Sequence, residues 1–219
     1  MANITLVIGE SGTGKSTSIR NLDPKETVII NVLDKPLPFK SALENYKKKT
    51  SDQKGNYFST DNYSKIISAI NHISVNDLSI KNIIIDDFQY VMANEFMRRA
   101  TERGFDKFTE IAQHAWQIID SAAKARSDLF VFILSHSDED NSGKIKCKTI
   151  GKMLDDKITI EGMFTTVLHS IVSDGGYKFL TQNDGSHIAK SPMGMFSQDF
   201  IDNDLYFVKQ KMSEYYTGV

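Results

Sequence analysis

Short apolar runs without polar interruption are the most regular feature of the first two thirds of the chain. Three of them, at residues 4–8, 83–85 and 129–134, are rich in β-branched or aromatic residues and are too short for typical buried helices. Strands that are buried on both faces have this composition, because helices cover both sides of a parallel sheet. The runs therefore predict the central strands of such a sheet.

Apolar residues at helical spacing separate these runs. One helical face carries six of them, which are Phe108, Ile111, Ala112, Ala115, Ile118 and Ala122. The predicted elements are strands at 4–8, 27–33, 82–86 and 129–134, and helices at 15–22, 63–73, 88–103 and 107–125. Further strands are predicted at 144–149, 164–173 and 177–181, and a last helix near 204–216. This order predicts an α/β fold with a mostly parallel central sheet flanked by helices and antiparallel strands added at the C-terminal edge.

Composition limits the organisation of the chain. The 219 residues include four prolines and no Gly/Ser-rich linker, which favours a single domain over 1–219 with a Lys-rich segment at about 40–56 and a hairpin at about 137–152. Cys147 is the only cysteine, and no apolar run approaches the ~20 residues that cross a bilayer. We therefore expect a cytoplasmic protein without a membrane partner. The net charge of −2 excludes a globally basic nucleic-acid binder but not a local basic patch.

A glycine-rich stretch follows the first predicted strand. It has the form GxxxxGK[ST] and consists of Gly9, Glu10, Ser11, Gly12, Thr13, Gly14, Lys15 and Ser16. In such a loop the backbone N–H groups surround the phosphates, the lysine reaches the β- and γ-phosphates, and the serine hydroxyl ligates Mg²⁺. The stretch, with Thr17 in the helix that follows, predicts a site for a nucleoside triphosphate, taken as ATP, and Mg²⁺.

Two carboxylates end the apolar run at 83–85. Asp86 is placed where the acid of a P-loop enzyme holds Mg²⁺ opposite the serine of the loop. Asp87 is open to two interpretations, a catalytic base or the N-cap of the following helix. The run at 129–134 ends in Ser135 and His136, which we expect at the same edge of the sheet, where they either sense the γ-phosphate or end a strand in water.

Together the glycine-rich loop, the Ile-Ile-Ile-Asp-Asp strand and the Phe-Val-Phe-Ile-Leu-Ser-His strand resemble those of RecA-like P-loop ATPases, particularly the small AAA-labelled ATPases of phage recombination modules. The resemblance covers nearly the whole chain. It implies that the strand at 129–134 lies between the P-loop strand and the strand ending at Asp86. It also implies a homo-oligomeric ring or filament, DNA recombination or replication as the role, and the host cytoplasm as the location of a phage-encoded chain.

The same resemblance suggests two further site residues. RecA-like proteins place a catalytic glutamate after the second strand, and here Asp34 is the corresponding carboxylate, although it is equally well explained as a turn residue. A lysine from a neighbouring subunit is expected at the γ-phosphate. Lys190 is the first candidate and Lys152 the second, and either is also explained as an ordinary surface lysine.

Single-stranded DNA is the partner that the resemblance implies. Lys144, Lys146 and Lys148 alternate with less polar residues, so a strand there would present three ammonium groups on one face. Such a row is suited to a DNA backbone, but lysines also protect edge strands from aggregation. The Lys-rich segment, at 47–49, supplies a second basic cluster that is equally typical of a solvated loop.

Two other functions fit the nucleotide motifs. A phosphotransferase acting on a small molecule or nucleotide would need an acceptor pocket and several lid arginines, whereas arginine occurs at only five positions. A non-catalytic switch protein would bind a nucleoside triphosphate and change shape without useful turnover. The sequence itself does not distinguish ATP from GTP, because the loop contacts phosphates only.

Overall fold

The computed structural model describes residues 1–50, 54–140, 142–150 and 158–218. The strands are β1 Asn3–Gly9, β2 Thr27–Asn31, β3 Tyr57–Ser59, β4 Asn82–Asp86, β5 Phe130–Glu139, β6 Ile145–Cys147, β7 Thr166–Ser173, β8 Gly176–Leu180 and β9 Phe200–Asp202. The α-helices are α1 Ala42–Asn45, α2 Tyr63–Asn76, α3 Gln89–Arg98, α4 Asp106–Lys124 and α5 Leu205–Thr217. Two 3₁₀ helices, Ser16–Asn21 and Ile160–Met163, complete the elements described.

The sheet is parallel in its centre and antiparallel at its C-terminal edge. Its strand order is β3-β2-β4-β5-β1-β7-β8-β9, and β6 pairs with β5 outside this row. The pairs from β3 to β7 are parallel, whereas β8 and β9 add antiparallel strands. The predicted fold class is confirmed, and β5 lies between the P-loop strand β1 and the Asp86 strand β4 as the resemblance implied.

Alternating side chains of the central strands face two separate apolar layers. Ile83 and Ile85 pack with α2, α3 and α4 on one face, whereas Ile84 packs with the 3₁₀ helix and α5 on the other. All three are fully buried. The three consecutive isoleucines in the middle of β4 thus follow from burial on both faces of the sheet.

The predicted helix at 15–22 is wrong in type, because a 3₁₀ helix occupies Ser16–Asn21. Ser16, Thr17 and Ser18 are weak helix formers, and the Ser18 hydroxyl donates a hydrogen bond to the carbonyl of Lys15 at 2.5 Å. Such a side-chain bond competes with the α-helical pattern of the backbone. The chain therefore leaves the glycine-rich loop in a tighter turn than expected.

Two predicted elements end earlier than expected. Strand β2 ends at Asn31 rather than residue 33, because the chain turns there. The Asn31 side chain donates to the carbonyl of Lys35 and accepts its N–H, and Asp34 adopts a φ of 56°. Helix α3 ends at Arg98 rather than residue 103. Beyond Arg98 the Lys107 ammonium donates hydrogen bonds to the carbonyl oxygens of Arg99, Ala100 and Glu102, so a side chain takes the place of the backbone N–H groups that a longer helix would supply.

Two strands, β3 and β9, lie where no strand was predicted. Strand β5 is longer than the predicted apolar run, because it continues through Asp138 and Glu139 to pair with β6.

Within the part of the chain that the structure covers, no helix has an apolar stretch long enough to cross a bilayer.

Candidate active site

A cavity of about 300 Å³ lies at the carboxyl ends of β1, β2, β4 and β5. Parallel strands end at the same edge of a sheet, so the loops that follow these strands meet there. The cavity is lined by Ser11, Gly12, Gly14, Lys15, Ser16, Thr17, Asn31, Lys35, Pro36, Pro38, Asp86, Asp87, His136 and Tyr177. The structure therefore brings most of the predicted site residues together around one space.

The glycine-rich loop depends on the absence of side chains at three positions. Gly12 and Gly14 adopt φ angles of +81° and +94°, which residues with a Cβ rarely adopt. A Cβ on Gly14 would also lie 2.7 Å from the Tyr177 ring, and one on Gly9 would lie 2.5 Å from the carbonyl oxygen of Ser170. This backbone forms a concave cradle of the kind that binds phosphate.

Strand β7 anchors the outer side of this loop. The Ser170 hydroxyl donates to the carbonyl of Thr13 at 2.6 Å and accepts a hydrogen bond from the Asn203 side chain at 3.1 Å. The Thr13 hydroxyl in turn donates to the carbonyl of Glu10 at 2.9 Å. Glu10 itself is exposed at the tip of the loop. The loop is thus held by the second half of the sheet as well as by β1.

Lys15 is folded back onto the loop that carries it. Its Nζ donates to the carbonyl oxygens of Gly9 at 2.8 Å and Glu10 at 2.7 Å, and the residue is 7% exposed. Burial lowers the pKa of the Lys15 ammonium to about 8, although the carboxylates of Asp86 and Asp87 oppose this shift. A triphosphate would supply the anionic partner that this ammonium lacks in the loop.

Ser16 and Asp86 form a pair of oxygen ligands. The Ser16 hydroxyl donates to Asp86 Oδ1 at 3.0 Å, and the same oxygen accepts the backbone N–H of Asp87 at 3.1 Å. Burial, followed by the charge of Asp87, raises the pKa of Asp86 to about 6. Mg²⁺ prefers oxygen ligands and often uses one or two carboxylates together with substrate phosphates, so this pair fits the ion.

Asp87 is held at the wall of the cavity by two neighbours. Its carboxylate lies 2.8 Å from Lys35 Nζ and 3.6 Å from His136 Nε2, and 8% of the side chain is exposed. Burial alone would raise the pKa of Asp87, but the contacts with His136 and Lys35 hold it below its ordinary value. Its φ of 63° departs from an ordinary helix N-cap, which is extended. Helix α3 begins only at Gln89, so the geometry favours a role in the cavity over a cap.

Asp34 lies elsewhere. It is outside the set of residues that line the cavity, and its carboxylate contacts Lys48 Nζ at 2.5 Å and the Tyr57 hydroxyl at 3.3 Å. Its side chain is 45% exposed. These contacts tie the turn after β2 to the Lys-rich segment, as the alternative interpretation of a turn residue expects.

Ser135 and His136 differ in whether their side chains reach the cavity. Ser135 is fully buried and its hydroxyl contacts Gln89 Oε1 at 3.4 Å, whereas the His136 ring reaches the cavity. The same Gln89 oxygen accepts the backbone N–H of His136 at 3.1 Å. Gln89 therefore positions the end of β5, and His136 rather than Ser135 is available to a bound ligand.

Lys190 and the hairpin lysines are outside the cavity. The backbone of Lys190 pairs with Val167 near the start of β7, and its side chain does not line the cavity of its own chain. Lys152 lies outside the described residues.

Carboxylates accompany the hairpin lysines. Strand register places Asp138 opposite Lys146, and Lys148 Nζ lies 3.7 Å from Asp138. Asp140 accepts the backbone N–H of Lys144 at the turn. Two carboxylates therefore lie beside the row of three lysines and reduce its net charge.

Sequence reasoning missed several residues near the site. Asn31, Lys35 and Tyr177 line the cavity, and Gln89 supports its β5 wall. The position of Lys35, next to Asp34 after a strand predicted to end at the site, was a usable signal. Tyr177 and Gln89 reach the site only through the fold and carry no local motif.

The geometry agrees with a comparison against known protein families. The sequence model described as AAA domain matches residues 1–141, which span β1, the glycine-rich loop, β4 and β5. No curated protein matches the chain. Because the matched region covers 141 of the 219 residues, the chain belongs to the AAA domain family of P-loop nucleotide-binding proteins.

Proposed function

We propose that the protein is a Mg²⁺-dependent ATPase whose reaction takes place in the cavity at the carboxyl edge of the sheet. The observation that carries the proposal is the convergence of Lys15, the Ser16–Asp86 pair and the buried Asp87 carboxylate on one cavity beside the glycine-rich loop. Membership of the AAA domain family supports nucleotide binding. ATP rather than GTP follows from the family resemblance.

Each residue has a distinct part in this proposal. The backbone N–H groups of the loop and Lys15 bind the phosphates, with Thr17 beside them, and Ser16 and Asp86 hold the metal. Bound Mg²⁺ would neutralise phosphate charge and keep Asp86 ionised. His136 faces the cavity beside Asp87.

Asp87 is the better candidate for orienting the attacking water. It lines the cavity and is nearly buried, whereas Asp34 faces Lys48 outside it. In the reaction, the water oxygen forms a bond to the terminal phosphorus as the bond from that phosphorus to the bridging oxygen breaks. Asp87 accepts the proton of the water, and ADP and inorganic phosphate leave.

A paired substitution tests this assignment. Asp87→Asn removes the proton acceptor but keeps the shape of the side chain, so phosphate release should fall about 100-fold or more while ATP binding persists. Asp34→Asn is the matched control and should keep most of the activity. Phosphate release should also disappear in EDTA and return with excess Mg²⁺. Loss of activity in Asp34→Asn with normal activity in Asp87→Asn would reverse the assignment.

Two rival functions give different results in the same assays. A phosphotransferase would release little free phosphate and would transfer it when an acceptor is added. A switch protein would bind ATP without turnover, in wild type and Asp87→Asn alike. Sustained release of free phosphate by wild type therefore separates the proposed ATPase from both rivals.

We extend the proposal to single-stranded DNA on the strength of the resemblance alone. The hairpin lysines offer a face for the phosphate backbone, but the carboxylates of Asp138 and Asp140 lie beside them. ATP turnover measured at low salt with and without single-stranded DNA tests this part. Absence of both binding and stimulation would remove the DNA partner and leave the ATPase intact.

The extension to a ring or filament has its own test. If Lys190 enters the site of a neighbouring subunit, Lys190→Ala and Lys15→Ala proteins should each be inactive alone. A mixture of the two should regain activity, because some interfaces would combine an intact loop with an intact lysine. A mixture as inactive as its components would contradict a role for Lys190 in trans.

A further inference from the structure

A second lysine, which is outside the glycine-rich loop, also lines the cavity. Lys35 follows β2, and its Nζ lies 2.8 Å from Asp87 Oδ2 and 5.7 Å from the centre of the Tyr90 ring. The side chain is nevertheless 54% exposed. It therefore touches the carboxylate proposed to orient water while remaining open to the space where a ligand would enter.

The backbone of Lys35 is fixed although its side chain is exposed. Asn31, 1% exposed on β2, donates to the Lys35 carbonyl at 3.0 Å and accepts the Lys35 N–H at 3.3 Å. The Tyr57 hydroxyl lies 3.3 Å from the same carbonyl. Pro36, whose ring restricts its own φ, follows directly. The ammonium group can thus change partners by side-chain rotation without a movement of the loop.

The charges around the cavity favour such a change. Two lysines, Lys15 and Lys35, and two aspartates, Asp86 and Asp87, line the cavity together. The Lys35 ammonium is half-exposed and can be hydrated when it leaves Asp87, and the nearly buried carboxylate keeps His136 Nε2 at 3.6 Å as a second partner. A terminal phosphate carries more charge and more acceptor oxygens than a carboxylate and is the stronger partner.

We propose that Lys35 is a second phosphate-binding lysine, which holds Asp87 in the free protein and moves to the terminal phosphate when ATP binds, leaving the Asp87 carboxylate free to accept the proton of water. This inference rests on the proposed ATPase function. It assigns a γ-phosphate contact to the chain's own lysine, in addition to any lysine from a neighbour. It also links the presence of the third phosphate to the activation of the catalytic carboxylate.

The test compares the affinity for a triphosphate with that for a diphosphate. Calorimetric titration with Mg²⁺ and either ADP or the non-hydrolysable β,γ-imido analogue of ATP gives the ratio of the two affinities for each variant. Lys35→Gln should weaken binding of the analogue about tenfold or more and that of ADP less than about threefold, since ADP lacks the phosphate in question. Lys35→Arg keeps the charge and should keep most of the ratio.

Lys81→Gln is the matched control. Lys81 also forms an ion pair with an aspartate, Asp128, at 2.6 Å, but it precedes β4 at the opposite edge of the sheet and is outside the cavity. Its substitution should leave both affinities unchanged.

A purely structural role for Lys35 predicts another pattern. If the lysine only holds Asp87, Lys35→Gln would change both affinities by the same factor, and Asp87→Asn would abolish that change. If Lys35 binds the terminal phosphate, Lys35→Gln should still weaken binding of the analogue selectively in the Asp87→Asn background.

An unchanged affinity ratio in Lys35→Gln, with wild type still binding and hydrolysing ATP, would overturn the inference and leave the ATPase function standing. A wild type that binds neither nucleotide would refute the function itself.

Discussion

The anchoring of the glycine-rich loop by β7 gives a prediction whose size follows from the structure. Ser170 is fully buried, and its hydroxyl links the Thr13 carbonyl to the side-chain amide of Asn203. Asn203 is 2% exposed, and its Oδ1 has no hydrogen-bond partner within the described part of the chain. Ser170→Ala removes the hydroxyl to which this amide donates at 3.1 Å.

Loss of the Ser170 hydroxyl costs a different amount of free energy at each of its two hydrogen-bond partners. The loop at Thr13 is partly exposed, so water can replace the hydroxyl there at little cost. The buried Asn203 amide has no access to water, and an unsatisfied buried donor costs about 1–3 kcal/mol. We therefore expect Ser170→Ala to lower the free energy of unfolding by about 2 kcal/mol. The affinity for ATP should fall as well, because the loop loses its outer support.

Urea unfolding without nucleotide, followed by ATP titration of the folded protein, measures both effects. Ser173→Ala is the control, because its hydroxyl contacts only the neighbouring Asp174 at the surface, at 3.2 Å. This control should stay within about 0.5 kcal/mol of wild type. If Ser170→Ala did the same and bound ATP normally, the loop would not depend on β7 and the reasoning would be wrong.

Further predictions concern the loop and a buried histidine. Gly14→Ala should lower the melting temperature more than Gly12→Ala. Both glycines have a positive φ, but of the two only Gly14 would place a Cβ against a described residue, 2.7 Å from the Tyr177 ring. Equal melting temperatures of the two variants would contradict this contact. His169 is 2% exposed, and burial, with repulsion from His187, lowers its pKa from 6.5 to about 4. As the pH falls, His169 is therefore protonated in the unfolded chain before it is protonated in the folded protein. The free energy of unfolding of wild type should decrease by about 3 kcal/mol between pH 6.5 and pH 4. Urea unfolding of His169→Phe across this range should lack that component, and an identical pH dependence in both proteins would refute the assignment.

The central strands were predictable because their burial on both faces determines which residue types they contain. The middle of β4 is buried on both faces of the sheet and is apolar on both, as the run at 83–85 shows directly. Strands β3 and β9 were missed, because each has three residues and is held by pairing with a longer neighbour rather than by its own pattern.

Part of the site was predictable for a similar reason. A loop that binds phosphate needs glycines and a lysine at fixed spacing, so residues 9–16 indicate their chemistry without a structure. The choice between Asp34 and Asp87 was not predictable. It depends on the direction of the chain after β2, where Asn31 turns the backbone so that Lys35 faces the cavity while Asp34 faces Lys48.

Binding of ATP by Lys15→Ala, measured by calorimetry in the presence of Mg²⁺, tests the central claim most directly. Lys15 is the buried cation of the loop, and an interaction of its charge with phosphate should be worth at least tenfold in affinity. The account predicts that wild type binds ATP and releases phosphate, whereas a folded Lys15→Ala protein binds at least about tenfold more weakly and releases none. Unchanged affinity and turnover in that variant would contradict it.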